Sequence, residues 1–434
     1  MRKLTVKNFS VIKDAELEFG KITVLIGPQS SGKSLLCKLA YFLGGEIPGI
    51  AVDSLLDRNS WNEFLQTVIR EFQKRFLIGE TGWLIDRTEV SFTSHEYEIQ
   101  LRGAGTLLTP GIEFSFNGHF KNLYSALAAK PSMQLPKVQA SRSELRQDLF
   151  REVSLLLNRK CTQSSTYIPS GRSLFSDAGT SIVALQNPDI DQITRRFAGL
   201  IAWDSRWKAG YFTTGRGIIE EVEKEMYRIA GGTVAIQDGR PHFDSDDGRN
   251  LPLSVQSSGT LELLPMFNVV NQLACFQEDI YARTPTATMS PIAYVIYHSP
   301  LIYLEEPEAH IFPKSQYDLV KLFAWLATDP VLDFSWVITT HSPYTLSSFN
   351  NLIYAGQLAN QEPELKNEVA ALVPERFWIE NGSFRAYSIH DGELKSILSE
   401  SGLIDGEYLD SVSETIGNEF DSLLRLEYDH TEAS

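Results

Sequence analysis

Gly27 and Gly32 bracket four residues and are followed at once by Lys33 and Ser34, within the stretch VLIGPQSSGKSLL from Val24 to Leu36. The spacing is G-x-x-x-x-G-K with Ser or Thr next, and each residue type suits phosphate chemistry. Glycine-permitted turns aim backbone N–H groups inward, a lysine reaches the β- and γ-oxygens, and a serine hydroxyl takes Mg2+. Gly27, Pro28, Gln29, Ser30, Ser31, Gly32, Lys33, Ser34 and Leu35 would together wrap a nucleotide's phosphates. A glycine-serine turn can match this pattern by chance. The context speaks against chance: KITVLI reads as a buried strand before the loop, and SLLCKLAYFL as a helix after it whose N-terminus would face the anion.

A phosphate loop needs carboxylates to complete a metal shell and to position water. PLIYLEEPEAHIFP, Pro300 to Pro313, reads as an apolar strand ending in Glu305 and Glu306. Glu305 is assigned to Mg2+ together with Ser34, and Glu306 to the base that orients or deprotonates water. An acidic loop after a core strand is common by itself, and the pairing with a phosphate loop favours the metal-and-base reading.

FSWVITTHSPYTL then brings a second strand to a polar end at Thr339, Thr340 and His341. The helical segment SQYDLVKLFAWLA lies between, the span of one strand-helix-strand crossover. That would set His341 beside Glu306 as a γ-phosphate sensor, although a lone histidine at a strand end is more often a capping or solvated residue. Ser257, Ser258 and Gly259 open a further helix, offering N–H groups and hydroxyls to an anion. A simply capped helix would read the same.

The elements that must carry these residues follow from periodicity. KLTVKNFSVIKDAELEFGKITVLIG gives three short strands. Residues from about 50 to 80 are helical in period, TEVSFTSHEYEIQLRG and IEFSFNG alternate as antiparallel strands, and helical segments occupy roughly 141 to 230. Among them, SELRQDLFREVSLLLNRK precedes GIIEEVEKEMYRIAGG, which stops at a double glycine. TVAIQDGRPHFDS reads as a hairpin turning at Asp-Gly, ERFWIENGSFRAYSI as a hairpin turning at Asn381-Gly382, and residues 407–425 as an acidic helix. The fold class is α/β, a mixed sheet flanked by helices and split by a long, largely helical insertion. The expected parts are 1–50 and 246–434 for the nucleotide-binding fold and 51–245 for the insertion.

Composition narrows the setting. A formal net charge of −16 argues against a broad nucleic-acid-binding surface, without excluding a local basic patch. Cys37, Cys161 and Cys275 are few and scattered, which suits a reducing cytoplasm and gives no disulfide framework or zinc spacing. MRKLTVKNFS alternates as a strand, not a signal peptide, and no run approaches 18 apolar residues, so no membrane role is expected.

The order of phosphate loop, Ser-Ser-Gly helix, Glu-Glu strand and Thr-His resembles the ABC-type ATPases of the SMC, RecF and OLD group. YLEEPEAHIFP is especially similar to the OLD-like branch, where Glu replaces the usual Asp of the metal-binding strand and EAH stands at the D-loop. YIPSGRS, Tyr167 to Ser173, resembles a Y-I-P-x-x-R element of that branch; Arg172 is a site candidate or a structural arginine. QSSGT departs from the transporters' LSGGQ. Gln134 and Gln139 are glutamine-loop candidates by position alone, and His310 either serves the D-loop or caps a turn.

The resemblance implies ATP and Mg2+ as cofactors and at least a homodimer, because the signature helix of one head contacts the γ-phosphate held by another. The span from Lys33 to Ser257 is too short for a long SMC coiled coil and shows no sustained heptads. The stretch after His341 is too short for an additional Toprim nuclease unit, and Asp391 and Glu393 read as solvated surface. The resemblance therefore points to a cytoplasmic ATPase like the regulatory subunits of anti-phage systems such as Septu and PARIS. Such a subunit holds or activates a separately encoded nuclease or toxin, with nucleic acid or a phage protein as trigger. The alternatives are a RecF-like DNA-repair clamp and, less favoured, the ATP-binding subunit of a transporter.

Overall fold

Three strands precede the phosphate loop as read: β1 (Arg2–Phe9), β2 (Ile12–Glu18) and β3 (Ile22–Ile26). They belong to a computed structural model that describes residues 2–76, 84–95, 97–106, 109–130, 146, 149, 152–153, 165–175, 191–207, 217–237, 240–282 and 299–405. Along β1, Leu4, Val6 and Phe9 are buried while Lys7 is exposed, the alternation of a sheet with one covered face. In β3 the residues from Ile22 to Leu25 are all buried, as expected of a strand covered on both faces.

The remaining strands of the main sheet are β4 (Leu84–Ser94), β5 (Tyr97–Thr106), β6 (Thr109–Phe116), β7 (Ser165–Ile168), β11 (Leu301–Glu305), β12 (Ser335–Thr340), β13 (Phe384–His390) and β14 (Glu393–Ser396). Their order is β6-β5-β4-β1-β2-β14-β13-β3-β12-β11-β7. One wing is antiparallel, from β6 to β2. The other is a parallel run of β13, β3, β12, β11 and β7. A separate three-stranded sheet holds β8 (Gly232–Gln237), β9 (Arg240–Ser245) and β10 (Asn250–Pro252).

Helix α1 (Lys33–Tyr41) runs through a π-turn at Phe42–Glu46 into α2 (Ile47–Leu56). This continuous run is long and apolar enough by composition to cross a membrane, but most of it is buried within the fold. Helix α3 (Trp61–Arg75) begins at a capping box, in which the Glu63 N–H donates to Ser60 Oγ and the Ser60 N–H to Glu63 Oε2. Helix α4 is Gly118–Ala128. These helices pack with Leu25, Tyr303, Val337 and Ile389 in one apolar core.

Ile22, Val24, Ile302, Leu304, Trp336 and Ile338 point the other way, into a second core. There they meet α5 (Gln192–Trp207), α6 (Ile218–Ala230), α7 (Ser258–Ala282), α8 (Pro313–Thr328) and α9 (Pro343–Gln361). The period-two alternation along β3, β11 and β12 thus splits the interior into two layers. The short α10 (Lys366–Leu372) packs on α9 through Val369.

One expected element, the Asn381-Gly382 hairpin, differs from what forms. Residues 51–245, expected as an insertion, bring strands into the main sheet: β4 to β6 continue it from the outer edge of β1, and β7 joins its parallel run. An uncovered β1 edge would leave a row of unpaired backbone groups, and β4 pairs with it from Arg2↔Ser94 onward. Asn381-Gly382 is a turn but not a hairpin, because the residues before it pack elsewhere: the Ile379 N–H donates to the Leu352 carbonyl of α9. The hairpin turn is Asp391-Gly392, both at positive φ, joining β13 to β14. The helix in 218–230 ends at left-handed Gly231 as read. The helices expected over Ser143–Lys160, beyond the few residues described there, and over 407–425 lie outside the described residues, as do the Asp238-Gly239 turn and Cys161.

Candidate nucleotide site

Gly32 sits at φ 108 with no side-chain cap on α1, and a Cβ there would run into Ile12 of the neighbouring hairpin. The first-turn N–H groups of α1 at Lys33, Ser34 and Leu35 lack intrahelical acceptors by geometry, which makes this helix end an anion cradle. Pro28, Gln29 and Ser30 are exposed, with Ser30 at φ 61, and the buried Ser31 Oγ has no hydrogen-bond partner. Lys33 Nζ folds back onto the carbonyls of Gly27 and Pro28, each at 2.8 Å. Burial lowers its pKa against the opposing pull of Glu306 and Glu308. An orphaned hydroxyl, an uncapped helix end and a lysine held by neutral carbonyls fit a polyphosphate.

Strand β11 carries its carboxylates to the same end. Glu305 is buried; its Oε1 accepts from the Tyr167 hydroxyl at 2.7 Å and its Oε2 from the Ser170 N–H at 3.1 Å. It lies close enough to α1 to help burial raise the Cys37 thiol well above its ordinary range. Glu306 turns at φ 43, donates its N–H to the Thr339 carbonyl at 2.9 Å, and has Oε1 3.3 Å from His341 Nε2. Both side chains of that pair are about one-third exposed. The strand-helix-strand unit therefore brings Glu306 and His341 together, beside the phosphate loop.

Glu308 was not among the sequence-derived site residues. Its Oε1 accepts from the Thr340 hydroxyl and the His341 N–H, each at 2.7 Å, while its buried Oε2 is unpartnered. The third carboxylate of E-E-P-E was visible in the sequence, but its partners come from β12.

Ser257 caps α7: its Oγ accepts the Thr260 N–H at 3.2 Å. Gly259 abuts the His310 carbonyl, 2.6 Å from where a Cβ would stand. Among the described residues, no hydrogen bond or ion pair joins Ser257, Ser258 or Gly259 to the phosphate loop of the same chain. His310 is exposed at φ 61, Arg172 is wholly buried, and Gln134 and Gln139 lie outside the described residues. Among the described residues, no cluster of three or more His, Cys, Asp or Glu could hold a metal. Ser34 and Glu305 would instead share Mg2+ with phosphate oxygens and water.

A phosphate loop after β3, paired carboxylates at the end of β11 and a histidine after β12, on adjacent parallel strands beside an antiparallel wing, define an ABC-type P-loop ATPase head. The family described as "AAA domain, putative AbiEii toxin, Type IV TA system" matches residues 92–347, more than half of the chain, and the chain belongs to that family. No curated protein matches it.

Among solved structures it is similar to an Smc head bound to the C-terminal winged-helix domain of ScpA, with 12% identity, 92% of this chain and 98% of that one covered, and a TM-score of 0.40. The SMC head domain from Thermotoga maritima gives 11% identity, 92% and 98% coverage and a TM-score of 0.37. An ATP-binding cassette of an ABC transporter, in its ADP conformation, gives 10%, 95% and 96%, and 0.31. These likenesses are distant, and the class rests on the strand order and what stands at the strand ends.

Proposed function

We propose that the protein binds ATP with Mg2+, hydrolyses it, and serves as the cytoplasmic sensor or regulatory subunit of a prokaryotic anti-phage defence system. The observation that carries the ATPase reading is the Glu306–His341 pair, 3.3 Å apart at the mouth of the loop that holds Lys33. Lys33 and the first turn of α1 bind the phosphates; Glu306 takes a proton from the attacking water; His341 faces the same oxygen-rich edge. Ser34 and Glu305 hold Mg2+, which neutralises phosphate charge when bound. Ser257, Ser258 and Gly259 serve the site of a second copy, which accounts for the absence, among the described residues, of any bond from them to their own phosphate loop.

The defence role is supported by the motif resemblance and by a family description that names toxin–antitoxin systems. A separately encoded nuclease or toxin is the effector, and nucleic acid or a phage protein the trigger. The repair-clamp reading is not favoured at a net charge of −16. The test is a phage challenge in the native host with Lys33→Ala and Glu306→Gln, together with affinity capture of the Glu306→Gln protein in ATP. Both variants should fold and lose protection, and the capture should bring down an effector. Full protection by both would sink the reading.

A further inference from the structure

Arg172 is 0% exposed and every arm of its guanidinium is engaged. Nη1 donates to the carbonyls of Pro169 at 2.9 Å and Glu305 at 2.5 Å, Nη2 to that of Glu306 at 3.0 Å, and Nε to that of Glu262 at 3.3 Å. The Glu262 carboxylate lies 3.4 Å from Nε and accepts the N–H groups of Arg172 at 3.0 Å and Ser173 at 3.2 Å. One cation therefore joins the first turns of α7 to Glu305, the last residue of β11, and to Glu306 just after it.

The sequence explains why a donor is needed there. The ladder between β11 and β7 runs from Leu301↔Ser165 to Leu304↔Ile168, so its next step would set Glu305 against Pro169. In a parallel ladder the donor to the Glu305 carbonyl would then be the Ser170 N–H, which turns instead to the carboxylate Oε2 of Glu305. Beyond it Glu306 turns to positive φ, a conformation that costs energy in a non-glycine residue and persists only when its surroundings hold it. The guanidinium supplies donors that the ladder does not, to two consecutive carbonyls.

A buried ion pair is a poor way to stabilise a core, since a well-packed apolar pair is commonly as stable or more so. What an apolar residue cannot do is hold those carbonyls. We propose that Arg172 is a positioning residue for Glu306, anchored on α7 through Glu262, so that the backbone bearing the base is set by the helix that begins at Ser258. This rests on the reading of Glu306 as the base of ATP hydrolysis.

Two variants test it, each read by ATP turnover, by equilibrium ATP binding and by thermal melting. Arg172→Lys keeps the charge facing Glu262 but loses the fork that reaches both carbonyls. The double variant Arg172→Met with Glu262→Leu removes both charges together, leaving no unpaired buried ion. In both, the protein should melt cooperatively and bind ATP as the wild type does, while turnover falls on the order of 10²-fold, the scale of a misplaced catalytic group. A purely structural ion pair predicts otherwise: the double variant would recover wild-type turnover, which would overturn the proposal. So would ATP affinity falling in step with turnover. Wild-type protein without ATP turnover would overturn the ATPase reading itself, and is seen before any variant is compared.

Discussion

At the scale of single residues, three carboxylates, a lysine and a histidine meet at one edge of the sheet, and what each carboxylate touches tells them apart. Glu305 is oriented by Tyr167 and Ser170, Glu306 faces His341, and Glu308 accepts from the N–H of His341. The residue types and spacing made Lys33, Glu305 and Glu306 legible, because each sits at a fixed offset from its own strand or glycine. Glu308 was not legible, because its function depends on the Thr340 hydroxyl and His341 N–H arriving from a strand about thirty residues on. Replacing it should expose that role. Glu308→Ala leaves two donors without an acceptor, so the urea midpoint should fall by the equivalent of about 1–3 kcal/mol. ATP turnover should fall with it, as His341 loses its fixed peptide. Unchanged turnover in a folded Glu308→Ala protein would show that His341 is held by other means.

At the scale of elements, strand and helix types were readable wherever one period ran unbroken, as in β1 to β3, α3 and the unit from β11 through α8 to β12. What failed was choosing between two equal turn signals. Asn381-Gly382 and Asp391-Gly392 both fit a hairpin, and only packing decides: Trp378 and Ile379 are taken up by α9 and the Val373 carbonyl, leaving no strand before Asn381. The chosen turn also fastens the antiparallel wing, since the Gly392 carbonyl accepts from the N–H groups of Lys13 at 2.8 Å and Asp14 at 3.2 Å. Gly392 has φ 83, and a Cβ would stand 2.5 Å from the Val11 carbonyl. Gly392→Ala should therefore destabilise the protein by about 1–2 kcal/mol, the cost of a left-handed non-glycine residue. Urea unfolding reads this as a lower midpoint at an unchanged slope. A midpoint at or above wild type would mean that the hairpin does not bind the wing to the head.

At the scale of the whole molecule, the nucleotide edge is also where large apolar side chains are left in water. Leu174 (69% exposed), Val255 (64%), Phe312 (75%) and Tyr344 (56%) flank β7, α7, α8 and α9 at that edge. Exposed apolar groups rimming a polar site mark a surface that something covers. A second copy, bringing its own α7 N-terminus, would cover them and complete each site. Charge sets a direction for the test. Two chains of net −16 repel one another, and added salt screens that repulsion over a Debye length of about 8 Å at physiological ionic strength. ATP-dependent pairing of the Glu306→Gln protein should thus strengthen as salt rises, whereas binding to duplex DNA weakens as counterion release loses its drive. Phe312→Glu should leave ATP affinity intact and abolish the pairing, by placing a carboxylate where an apolar contact closes. Sedimentation velocity across a salt series resolves the cases. A Glu306→Gln protein that stays monomeric in saturating ATP at every salt concentration would mean that one chain completes its own site.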